Sequence, residues 1–242
     1  MIISHRYRYV FVELPRTGST AIRQELREHY AGQPILKKHA TYDEFLRTAS
    51  AEEKDYFVFS SVRNPLDDIV SHFFKLRTDH KGRYTDPARA PRNRRLLNTI
   101  IDTVQARYVS RPDVEFASFL RRFYWLPYDT WASLSHERFD YVMRFERLAD
   151  DFATVLQRLG IEQIRPLPVV NATASRRRSF VDYYTPDLIP RARRVFGPYM
   201  ERWGYAFPDT WPVRRPTTMD RAQYQLYSFF ARLYWRYIRP IT

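Results

Sequence analysis

The residues Tyr9-Val10-Phe11-Val12-Glu13-Leu14 form an apolar, β-rich run that feeds a turn, Pro15-Arg16-Thr17-Gly18-Ser19-Thr20, before Ala21 and Ile22 open a helix. A strand that stops at a proline and turns at a glycine leaves backbone N–H groups exposed at a helix start, where the helix dipole also favours an anion. Ser19 and Thr20 add hydroxyl donors and Arg16 adds a charged fork, which together make a cradle for a phosphate or a like anion. The turn is not a Walker A loop, since it has a single glycine and its cation precedes that glycine. Helix capping alone can also place glycine and serine at such a junction.

A second segment repeats the design. Phe57-Val58-Phe59-Ser60-Ser61-Val62 reads as a short strand, and Arg63-Asn64-Pro65-Leu66-Asp67-Asp68-Ile69-Val70-Ser71 follows it directly. Asn64 suits an N-cap and Pro65 the first helical turn. Leu66, Ile69, Val70 and Phe73 recur at helical spacing and set Ser71 on another face, about two turns in. Arg63 at the strand end and Ser71 on the helix are therefore candidates to grip one anion together.

The pair P-R-T-G-S-T and V-R-N-P-L-D-D-I-V-S resembles the cofactor motifs of sulfotransferases that use 3′-phosphoadenosine 5′-phosphosulfate (PAPS). The first is similar to that family's 5′-phosphosulfate loop and the second to its 3′-phosphate site. Later stretches resemble the carbohydrate sulfotransferase branch: Asp140-Tyr141-Val142-Met143-Arg144-Phe145-Glu146-Arg147-Leu148, Asn171-Ala172-Thr173-Ala174-Ser175-Arg176, Tyr183-Tyr184-Thr185-Pro186 and Trp203-Gly204-Tyr205. The likeness runs over roughly residues 7–207. One departure is Arg16, where that branch has Lys; protein-tyrosine sulfotransferases are similar in having Arg.

The resemblance implies PAPS as cofactor, no metal, and cofactor contacts from Arg16, Thr17, Gly18, Ser19, Thr20, Ala21, Arg63 and Ser71. Ser175 and Arg176 would add contacts from a basic loop late in the chain. It also implies in-line transfer to a hydroxyl acceptor, a carbohydrate or glycolipid, with Arg16 stabilising charge on the leaving phosphate. The acceptor needs a base. His39, in Lys37-Lys38-His39-Ala40-Thr41, follows a candidate strand at 34–38 and looks like the strand-end histidine of enzymes that sulfate uronic acids. A solvated or capping role would also suit such a histidine, and Glu25 or Glu44 are alternative bases.

The elements that must position these groups alternate. Strands are expected at about 7–14, 34–38, 56–62 and 139–144, with helices from 19 to about 30, and over 41–48, 65–77, 115–124 and 146–159. Such alternation predicts an α/β, P-loop-like three-layer fold, a central parallel sheet flanked by helices. Residues 1–212 are expected to form the sulfotransferase domain, with the polar, proline-interrupted stretch 79–113 as a substrate-side insertion or lid. Residues 213–242 are expected to form a tail holding an aromatic and basic helix over 218–238.

Composition sets limits. The 242 residues include 17% aromatics and no cysteine, so a sizeable core is expected and thiolate metal sites and disulfides are excluded. The net charge of +13 suits an acidic partner, a nucleotide, an acidic glycan or an anionic membrane, while no zinc, RNP or basic-zipper pattern points to nucleic acid. Nearly all the cations are Arg, with Lys only at 37, 38, 54, 75 and 81, as an Arg-rich codon usage also produces. No signal or anchor segment is seen at the N-terminus, so a cytoplasmic bacterial enzyme is expected, peripheral at the inner membrane face through 218–238. Competing readings are a P-loop kinase, which would need a Lys after a second glycine, and a non-catalytic binder of acidic glycan or membrane.

Overall fold

The computed structural model describes residues 1–79, 96–168, 178–212 and 215–238, with the backbone alone for 96–100. By its internal contacts the chain divides into two compact units. One draws on Met1–Asn64, Asp129–Ala172 and Phe230–Ile241, the other on Pro65–Tyr128 and Thr173–Phe229.

The first unit holds the sheet. Its strands are β1 (Ile2–Ser4), β2 (Tyr9–Phe11), β3 (Gln33–Pro34), β4 (Phe57–Val62) and β5 (Tyr141–Arg144), in the order β3-β1-β2-β4-β5. β2, β4 and β5 are parallel neighbours, with Phe11 opposite Phe59 and Phe59 opposite Tyr141. The short β1 runs against both β2 and β3, so the sheet is mostly, not wholly, parallel. The expected first strand over 7–14 is thus the second arm of an N-terminal antiparallel pair.

Period-two alternation sorts the strand residues onto two faces. Ile2, Tyr9, Phe11, Phe59 and Met143 join Ile22 and Leu26 of α1 (Ser19–His29) and Phe152, Val155 and Leu156 of α7 (Leu148–Arg158) in one core. Ile3, Val10, Val12 and Val58 meet Phe45 of α2 (Tyr42–Thr48), Tyr56 and Phe139 in the other. Helix α2 is set by a full capping box between Thr41 and Glu44, and the short α3 (Ala51–Lys54) by a second between Ser50 and Glu53.

The second unit is helical: α4 (Pro65–Arg77), α5 (Leu96–Val109), α6 (Phe116–Phe123), α8 (Ile189–Arg202) and the first part of α9 (Thr218–Leu233). Its core gathers Leu66, Ile69, Val70 and Phe73 with Phe119, Leu120, Leu188, Phe196 and Trp211. Helix α5, 14 residues long, lies within the proline-interrupted stretch 79–113. Pro87 and Pro91 fall outside the described residues, and Pro112 follows the helix end. Helix α4 is buried from Pro65 through Ser71, so Ser71 lies inside rather than on a polar outer face.

Candidate active site

The loop between β2 and α1 is built around two left-handed backbone positions, Arg16 at φ 65° and Gly18 at φ 78°. Gly18 needs to be glycine twice over. Its φ is costly for other residues, and a Cβ there would run into Leu148 Cδ2 and sit against the Phe145 ring. Gly18 also caps α1, with no side-chain oxygen on the cap and no acidic residue in the first turn. The N–H of Ala21 already donates to the Gly18 carbonyl at 3.0 Å, and the Ala21 methyl is in the core. The N–H groups of Thr17 to Thr20 precede that first helical bond, at the positive end of the helix dipole.

The Thr17 hydroxyl turns inward, donating to the Leu14 carbonyl at 2.9 Å. It also accepts from the wholly buried Ser61 hydroxyl of β4 at 2.7 Å, and the same hydroxyl reaches the Thr17 carbonyl at 3.1 Å. Two residues on, Arg63 donates through Nη1 to the Arg16 carbonyl at 3.1 Å. Its guanidinium carbon lies 4.0 Å from the centre of the Phe145 ring, a stacking contact that fixes the plane of the fork. Glu146 beside that ring accepts from the Asn64 N–H at 2.7 Å. The segment after β5 therefore braces both Gly18 and the Arg63–Asn64 corner.

His39 also holds a left-handed backbone, at φ 64°, and its Nδ1 lies 2.9 Å from the Glu13 carbonyl oxygen. A carbonyl only accepts, so Nδ1 carries the hydrogen and Nε2 carries the lone pair. Burial, with the Lys38 charge, pushes the His39 pKa down to about 4, against the hydrogen bond to the Glu13 carbonyl. Trp131, in the turn Trp131–Leu134, meets the imidazole edge-on at a centroid distance of 6.3 Å. The alternative bases are otherwise occupied. Glu25 is fully buried and held by a fork from Arg165 at 3.0 and 3.2 Å, while Glu44 closes the α2 capping box and pairs with Lys37 at 2.9 Å.

A family model described as the Sulfotransferase family matches residues 1–205. The chain belongs to the sulfotransferase family. No curated protein and no solved structure matches it. Of the expected site residues, this sulfotransferase carries Arg16, Thr17, Gly18, Ser19, Thr20, Ala21, His39 and Arg63 in the unit that holds the sheet. Ser71 belongs to the helical unit, as do the buried Asp67 and Asp68; Tyr128 donates to Asp68 at 3.0 Å. Ser175 and Arg176 lie outside the described residues.

Among the described residues no cluster of His, Cys, Asp or Glu could hold a metal ion, and no helix is long and apolar enough to cross a membrane. The expected helix over 218–238 is α9 followed by a π-helical turn, Tyr234–Ile238. One of its arginines is engaged within the chain: Arg236 pairs with Asp43 at 2.8 Å. Ser61, Phe145 and Trp131 are site-supporting residues that motif reading missed. The adjacent hydroxyls of Ser60 and Ser61 inside an apolar strand were the available signal, because buried hydroxyls need partners.

Proposed function

We propose that this sulfotransferase moves a sulfuryl group from PAPS to a hydroxyl of a carbohydrate or glycolipid, with His39 as general base. The observation that carries this reading is the left-handed loop at 16–18, held by Ser61 of β4 and by Arg63 just after it, with a neutral imidazole hydrogen-bonded just upstream at Glu13. The residues present fit the cofactor: a left-handed loop, a helix N-terminus with no acidic residue in its first turn, and two arginines, Arg16 in the loop between β2 and α1 and Arg63 directly after the parallel neighbour β4.

Bound PAPS supplies the sulfuryl group, whose bond to the bridging oxygen breaks as the acceptor oxygen bonds to sulfur, leaving 3′-phosphoadenosine 5′-phosphate. The N–H groups from Thr17 to Thr20 and the Arg16 side chain hold the 5′ end, where negative charge grows. Arg63 takes the 3′-phosphate, and Ser71 is assigned to it by the sequence motif alone. His39 Nε2 receives the acceptor proton, while the Glu13 carbonyl keeps the tautomer and ring orientation. The carbohydrate preference rests on the stretches 140–148 and 183–186 and their likeness to the carbohydrate branch.

Calorimetry with 3′-phosphoadenosine 5′-phosphate against ATP, without divalent metal, tests the cofactor. The bisphosphate should bind more tightly, and Arg63→Ala should weaken it roughly 10- to 100-fold, as loss of a charge-assisted contact does. Equal affinity for adenosine nucleotides with and without the 3′-phosphate would overturn the assignment.

A further inference from the structure

We infer that Ser61 is a positioning residue for the nucleotide's 5′-phosphate, acting through the direction of the Thr17–Gly18 peptide group beside one that Arg63 holds; the inference rests on the PAPS reading above. A trans peptide is planar, so its carbonyl and its N–H point to opposite sides. Arg63 holds the Arg16 carbonyl at 3.1 Å, which turns the Thr17 N–H away from β4. Ser61 holds the Thr17 carbonyl at 3.1 Å, which turns the Gly18 N–H away from β4 as well.

Two successive N–H groups are thereby aimed to one side, between left-handed residues at 16 and 18, as in the concave backbone sites that bind anions. The one hydrogen of the Ser61 hydroxyl is shared between that carbonyl and Thr17 Oγ1, which lies 2.7 Å away, and Thr17 Oγ1 donates its own hydrogen to Leu14 O at 2.9 Å. This chain of bonds runs from β4 across the loop to the end of the β2 segment. Every member is buried, so water cannot replace a missing bond at low cost. Ser61 itself has no exposed surface and no place to touch the nucleotide. Its effect must therefore pass through the loop.

The test compares binding of three ligands to wild type and Ser61→Ala by calorimetry: 3′-phosphoadenosine 5′-phosphate, adenosine 5′-phosphate and adenosine 3′-phosphate. The two ligands carrying a 5′-phosphate should lose roughly tenfold in affinity, while adenosine 3′-phosphate changes less than about twofold. Thr17→Val removes the second hydroxyl of the chain and should give the same selective loss; it carries the test alone if Ser61→Ala does not fold. Equal loss for all three ligands, or none, overturns the positioning role while leaving the PAPS reading intact. A wild type that binds none of the three overturns that reading and the positioning role with it.

Discussion

His39 Nδ1 donates to the carbonyl oxygen of Glu13 at 2.9 Å, which fixes the basic lone pair on Nε2. His39→Ala should lower turnover by roughly 10²- to 10⁴-fold while binding of 3′-phosphoadenosine 5′-phosphate stays close to wild type. Steady-state kinetics with a carbohydrate acceptor, paired with calorimetry, would show the split. Unchanged turnover in the variant would move the base elsewhere.

The pH profile carries its own expectation. A base with its pKa lowered to about 4 remains competent in mild acid. The acid limb of kcat/KM should then lie well below the ordinary histidine value of about 6.5. A limb at the ordinary value would show that His39 in this setting is not the group being titrated.

Mild acid should weaken the fold through its buried histidines. His136 is buried against Phe139 with its pKa lowered to about 3 by burial, and His39 is lowered to about 4. In the unfolded chain both titrate near 6.5, so below that pH the unfolded state gains protons that the folded state refuses. Stability falls as pH drops, by about 1.4 kcal/mol per unit for each histidine. Between pH 7 and 5, His136→Phe should show a shallower fall than wild type in denaturant titrations. Parallel curves would contradict the burial of a neutral imidazole at 136.

Gly18→Ala combines a left-handed φ with a collision at Leu148. A cost on the order of 1–3 kcal/mol is expected from the backbone alone, with nucleotide affinity falling as well. Chemical denaturation measures the first and calorimetry the second. A variant as stable as wild type would mean that the loop takes another conformation.

The C-terminal surface offers a membrane test. Phe230, Leu233, Tyr237 and Ile238 are exposed and recur at helical spacing. Wild type should co-sediment with anionic vesicles at moderate salt, and a variant with serine at Phe230, Leu233 and Ile238 should not. Equal pelleting of both would rule out these side chains as the contact.

The sequence showed the parts of the fold that local pattern controls. Phe57–Val62 running into Arg63-Asn64-Pro65 announced β4 and α4 because alternation, strand length and proline placement all lie within a few residues. Arg16, Gly18 and Arg63 were legible as candidate site residues for the same reason. Hidden from it were relationships between distant positions. Ser61 finds Thr17 across 44 residues, and Arg165 finds Glu25 across 140, a pairing that makes Glu25 a structural carboxylate. Strand β1 escaped notice because three residues, Ile2–Ser4, are too few to show a period; their pairing with β2 supplies what their own pattern lacks.

The left-handed backbone at Arg16 sets the fold against the chemistry proposed for that residue. Asparagine suits that conformation better than arginine, and at 16 it would ease the main chain. It would also remove the cation. Selection for thermostability alone, applied to a library of this chain, should therefore drift towards asparagine at 16 and yield sturdier proteins that, on the role proposed for Arg16, have lost their reaction.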